Sequence, residues 1–271
     1  MKLSCQEHLV PGTTLKSKLQ WLEENQFDGM ELWAFDLKSR IVEIKEAFSQ
    51  YKAVHISALC GGYDGNLVDP SSEVRNTAVL GVKKLIRLAA EIGAPGIILV
   101  PSFGTSQSLG VLELPHLLQV NEVKAFAETL FELSEEAEEH RVNLFLEPIN
   151  RYESFCFNQV REAAEVCDMV HSPNLSLLLD TFHMNIEEDS MSETLIKYDS
   201  LIGYIHLADS NRLVPGLGHI DFPELLRTLQ MVGFDGFLSL ECFIRNSQEL
   251  IEARDFIRSC IPNQTVVPAK C

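Results

Sequence analysis

Basic residues are scarce in this sequence. Lys and Arg number 22 against 39 Asp and Glu, giving a formal net charge of −17. A partner with a phosphate backbone is therefore disfavoured, because such binding is driven by Lys and Arg. Long apolar runs are also missing. No stretch approaches the roughly 20 residues that cross a bilayer, and Lys2 is followed almost at once by polar residues, unlike a signal peptide. A cytoplasmic location is expected. The seven cysteines contain no CxxC pair, are odd in number and are irregularly spaced. Free buried thiols are the expectation, not a disulfide framework. Cys60 and Cys242 fall near strand ends without the surroundings of a nucleophile. No Pro-, Gly- or Ser-rich linker divides the chain, so a single domain over residues 1–260 with a short tail, 261–271, is expected.

What is present is alternation. Strand patterns occur at about 2–7, 29–34, 53–59, 96–101, 142–148, 175–180, 202–208 and 236–242, with helical patterns between them. The clearest helix is 120–140, where Val123, Phe126, Leu130, Leu133 and Ala137 recur at steps of three and four. Another spans about 72–92, with Asp69 as a plausible cap, Pro70 in the first turn and Gly93 at the stop. A third opens at Asp221-Phe-Pro-Glu224, resembling a capping box, and closes at Gly233. Eight strands alternating with eight helices in 271 residues predict an α/β fold, a single (β/α)8 TIM barrel.

Within that frame, Glu147, Asp180, His206 and Glu241 each sit near the end of an apolar strand. They lie roughly 30 residues apart, the length of a strand–helix–strand unit. Side chains of opposite parity in these strands are aliphatic: Leu144 and Leu146, Leu177 and Leu179, Ile205 and Leu207, Leu238 and Leu240. That face suits packing under helices, which turns the four polar residues inward at the C-terminal rim. Three carboxylates and an imidazole at one point suit a hard divalent cation. Two long segments on the same rim, 60–71 and 102–119, could cover a ligand. His8 and Trp33 could line the pocket. His55 reads as a core histidine, and Gly216-Leu-Gly218 as a tight turn or an anion site.

The flanking residues carry a resemblance. Glu147 opens Glu-Pro-Ile-Asn-Arg-Tyr-Glu153, Asp180 opens Asp-Thr-Phe-His-Met-Asn, and His206 opens His-Leu-Ala-Asp-Ser-Asn-Arg212. The chain resembles the xylose-isomerase-like barrel proteins, within them the ketose 3-epimerases of the D-tagatose and D-psicose type. It is also similar to epimerases of keto-sugar acids such as 5-keto-L-gluconate. The resemblance implies that Glu147, Asp180, His206 and Glu241 bind a divalent metal, manganese in most relatives and cobalt or magnesium in others. It implies that Glu153, His183 and Arg212 hold substrate oxygens and that Glu147 and Glu241 move the proton. It further implies a ketose or keto-acid substrate and a homodimer or homotetramer. An aldose–ketose isomerase of the hydroxypyruvate type would share this scaffold. A non-catalytic sugar-binding barrel would not need the carboxylate pair. A nuclease of the related fold would need more histidines and a basic face.

Overall fold

The computed structural model describes residues 1–69, 71–103 and 120–261. Pro70, residues 104–119 of the second rim segment and residues 262–271 of the expected tail lie outside the described residues. Eight strands form the frame: β1 (Lys2–Gln6), β2 (Gly29–Trp33), β3 (His55–Cys60), β4 (Gly96–Leu99), β5 (Asn143–Leu146), β6 (Leu175–Asp180), β7 (Ile202–Leu207) and β8 (Phe237–Leu240). Among the described residues nine helices follow them. These are α1 (Leu15–Glu24), α2 (Leu37–Gln50), α3 (Ser72–Ile92), α4 (Val120–His140), α5 (Val160–Val170), α6 (Thr181–Glu187), α7 (Met191–Lys197), α8 (Phe222–Met231) and α9 (Gln248–Cys260). All strand pairs are parallel and β1 closes on β8, with Lys2 opposite Phe237 and Cys5 opposite Leu240. Closure leaves the sheet without an edge.

Strand parity sorts the interior as the alternation predicts. Leu144, Leu146, Leu177, Leu179, Ile205, Leu207, Leu238 and Leu240 belong to the main apolar core that includes the helix faces. Inside the barrel a separate small cluster consists of Ala58, Ile98, Phe145, Leu178 and Tyr204. Phe145 fills its layer because Gly96, on the neighbouring strand β4, has no side chain; a Cβ there would strike the Phe145 ring. A β-bulge opposite Met30 and Glu31 inserts one extra residue into β3. Ser57 and Ala58 are both buried there.

Several local expectations change. Helix α3 begins at Ser72 with Ser71 as its cap; Asp69 instead accepts the Ser71 N–H at 2.8 Å. At α8, Asp221 caps the Glu224 N–H at 2.9 Å, but Glu224 does not close the box and accepts from Ser192 Oγ at 2.9 Å. The β6–β7 connection holds two short helices where one was expected, because α6 starts directly after β6 on the Asp180 cap. His55 is exposed, not in the core, since it is the first residue of β3 at the far mouth of the barrel.

Gly96→Ala should destabilise the fold by about 1–3 kcal/mol, the usual cost of overpacking a filled core. Chemical denaturation of the variant beside the parent measures it.

Candidate metal centre and sugar-binding rim

The site is built on the ends of the strands. Glu147 follows β5, Asp180 ends β6, His206 is the penultimate residue of β7 and Glu241 follows β8. Each offers one donor atom, and the four atoms lie within 4.8 Å of one another. His206 Nδ1 is 3.0 Å from Glu241 Oε2 and 3.4 Å from Glu147 Oε1. It is buried and has no hydrogen-bond partner of good geometry among the described residues. Its other nitrogen, Nε2, is 2.9 Å from Glu31 Oε2. A proton on Nε2 directed at Glu31 leaves the Nδ1 lone pair aimed among the carboxylates, the arrangement by which a carboxylate orients a metal-ligating histidine. Hard oxygen donors, a borderline imidazole and an orphaned buried nitrogen together fit a divalent cation.

Glu31 was not singled out from the sequence. It is fully buried on β2 and also accepts from Gln6 Nε2 at 2.8 Å and from the Tyr204 hydroxyl at 3.0 Å. The same Gln6 amide donates to Glu241 Oε1 at 2.8 Å, so one residue at the end of β1 ties the two carboxylates together. A signal was available: an acid inside the apolar strand Gly-Met-Glu-Leu-Trp is costly unless paired.

The charges reinforce one another. Burial alone would lower the His206 pKa, but Glu241 and Glu31 outweigh it and lift it well above the ordinary imidazole value. Burial raises Glu147 above the usual carboxylate range, against the pull of His206. Burial works the same way on Glu241, yet His206 and Arg212 override it and hold that carboxyl far below the usual range.

The three residues implied as sugar contacts gather on the same rim. Arg212 Nη1 donates to Asp180 Oδ2 and Nη2 to Glu241 Oε2, both at 2.8 Å, and its guanidinium lies 4.7 Å from the centre of the Phe182 ring. His183 Nε2 is 3.7 Å from Asp180 Oδ2 and 3.9 Å from Glu147 Oε1. Asn150 Nδ2 bridges Glu153 Oε1 at 2.9 Å and His183 Nδ1 at 2.7 Å, which fixes both side chains. Arg212 itself adopts a left-handed backbone (φ 61°). Asp209 imposes it: its carbonyl accepts the Arg212 N–H at 2.8 Å, and its buried carboxylate accepts from Ser210 N, Gly216 N and Ile220 N. Gly216-Leu-Gly218 is therefore a tight turn wrapped on Asp209. Burial pushes the Cys242 thiol up to about 12 and raises Cys60 as well, which disfavours the thiolate form at both.

Glu31→Gln should weaken divalent-ion affinity about 10–100-fold, as loss of a ligand-orienting partner does. Calorimetric titration with Mn2+ measures it, with circular dichroism as the check on folding.

Known proteins share the sequence and the fold of this chain. The chain is 28% identical over 264 residues to 3-dehydro-D-guloside 4-epimerase of Escherichia coli, covering 96% of this chain and 100% of that protein. A local match at 40% identity over 115 residues links it to D-psicose 3-epimerase of Enterocloster bolteae, covering 42% of this chain and 38% of that one. The solved structure of E. coli 3-keto-D-glucoside 4-epimerase superposes with a TM-score of 0.88 at 28% identity, over 96% of this chain and all of that one. D-psicose 3-epimerase of Clostridium cellulolyticum, at 22% identity and a TM-score of 0.85 over 96% of this chain and 99% of that one, shares the fold. With residues 19–260 matching the family pattern, the chain belongs to the xylose isomerase-like TIM barrel family.

Proposed function

We propose that this protein is a divalent-metal-dependent epimerase, inverting a carbon next to the carbonyl of a keto-sugar by removing its proton and returning one to the opposite face. The observation that carries the reading is the pair Glu147 and Glu241, which follow β5 and β8 at the barrel mouth and belong to the same donor cluster. Its relatives are sugar epimerases by name, acting on a 3-dehydro-guloside or on ketoses. The ligands are Glu147, Asp180, His206 and Glu241, and Mn2+ is the expected ion, with Co2+ or Mg2+ as substitutes. When bound, the ion supplies a Lewis acid beside the carbonyl and an adjacent hydroxyl, lowering the cost of ionising the carbon between them.

The chain's own groups divide the remaining work. Asp180 Oδ1 caps α6 through the Phe182 N–H at 2.7 Å, and Oδ2 takes Arg212. His206 Nε2 is committed to Glu31. Glu147 and Glu241, which follow β5 and β8, are the pair assigned to exchange a proton with carbon, Glu241 while also accepting from Gln6 and Arg212. One takes it from one face of the sugar and the other returns a proton on the second face; the roles reverse in the back reaction. The enediolate formed between these steps carries negative charge on oxygen, and Arg212 is the fixed cation beside it. Glu153, His183 and Arg212 hold the sugar hydroxyls so that the reacting carbon stays between the two carboxylates.

Incubating the metal-loaded protein with a panel of ketoses, keto-sugar acids and keto-glycosides in deuterium oxide tests this. The epimeric product should carry deuterium at the inverted carbon. An aldose product would replace this reading with aldose–ketose isomerisation, and exchange at no carbon of any substrate would overturn both. Glu147→Gln and Glu241→Gln should each lower turnover about 10²–10⁴-fold, the usual share of a positioned acid or base. Chelation should abolish activity and Mn2+ restore it.

A further inference from the structure

A row of rings leads outward from the donor cluster. His8 lies two residues beyond Gln6, whose amide bonds Glu241. Trp33 Nε1 donates to His8 Nδ1 at 2.8 Å. Phe35 stacks on Trp33 with ring centres 5.4 Å apart and planes 23° apart. The Phe35 ring then lies over Gly61, where a Cβ would come within 2.8 Å of it. Beyond Phe35 opens a cleft of about 230 Å³, lined in part by Gly62, Tyr63, Asp64, Lys38 and Lys84 and walled by α2 and α3.

Two features separate this row from ordinary packing. First, Phe35 is 66% exposed although it is stacked, so it covers no core. Second, the row is held rigid from beneath: Glu7 accepts the Trp33 N–H at 3.3 Å and pairs with Arg40 of α2. A preset aromatic surface beside a polar cleft suits a ring with an apolar face and hydrogen-bonding edges. The cleft is smaller than the roughly 300 Å³ of pockets for drug-sized ligands, so it accepts one ring-sized group. The residues proposed above to hold the reacting sugar, Glu153, His183 and Arg212, lie in the segments after β5, β6 and β7, whereas this row follows β1, β2 and β3. The two sets therefore do not compete for the same part of a substrate.

We propose that Trp33, Phe35 and the adjoining cleft form an outer subsite for a second ring. The substrate is then a keto-sugar joined by a glycosidic bond to another ring, in preference to a free monosaccharide. The proposal rests on the epimerase reading and narrows its substrate class. The keto-sugar sits at the donor cluster, and the attached ring lies along Trp33 and Phe35 with its edge toward Lys38, Lys84 and Asp64.

The test compares one keto-hexose with the same keto-hexose carried as a glucosyl glycoside, using the metal-loaded full chain. Deuterium exchange should proceed with kcat/KM about 2–10-fold higher for the glycoside, the worth of one good ring contact. Phe35→Ala should erase that advantage through KM and leave exchange into the free keto-hexose unchanged. Lys84→Ala, on the surface of α3, should lower kcat/KM for the glycoside alone and guards against a folding defect in the first variant. Equal kcat/KM for the two compounds in the parent, or equal losses on both in the variants, would overturn the subsite and leave the epimerase reading standing. If neither compound exchanges, the epimerase reading is decided by the wider panel above, and tryptophan fluorescence still decides the subsite. Quenching by the glycoside at lower concentration than by the free sugar supports it; equal quenching or none overturns it.

Discussion

Buried negative charge is the constraint around which the barrel mouth is organised. Glu31, Glu147 and Asp180 are buried, and Glu241 stands beside them with most of its side chain covered. Carboxylates removed from water are costly unless paired or coordinated. The chain answers with one permanent cation, Arg212 between Asp180 and Glu241, and with the His206 imidazole between Glu31 and Glu241. Four carboxylates against these two groups leave the centre short of positive charge, which is why a divalent ion fits it.

The rest of the site follows from holding those groups still. Gln6, Tyr204 and Glu31 form a hydrogen-bonded layer beneath His206, inside the barrel and above the plug of Phe145, Leu178 and Ile98. Asn150 spans Glu153 and His183 on one side of the mouth, and Asp209 winds the Arg212 loop on the other. A left-handed backbone at a non-glycine residue is locally unfavourable, and at Arg212 it is sustained by the bonds to Asp209. The same rigidity extends outward, where Glu7 and Arg40 fix Trp33 in the aromatic row. Groups with little freedom to relax are what proton transfer at carbon needs, since small misplacements are costly in rate.

Much of this was legible in the residues because two periodicities report directly on geometry. Alternation within strands separated the aliphatic outer face from the inward one, and recurrence at one βα unit put Glu147, Asp180, His206 and Glu241 on one rim. The helix 120–140 was readable for the same reason: its stripe of apolar residues has a single stable burial. Capping details were less legible. Asp69, Ser71 and Asp221 all suit a helix start chemically, and which one caps depends on where the preceding loop leaves the backbone.

The sequence by itself determined the strand–helix alternation, the inward parity and the four donors, because each depends on residue type at a local spacing. Only the tertiary structure decided that Glu31 orients His206, that Gln6 joins Glu31 to Glu241, and that Trp33 and Phe35 lead from the site to a cleft. Those pairings cross up to 235 positions in the chain. They exist because closing the barrel brings β1 against β8, and no local pattern encodes a contact made by closure.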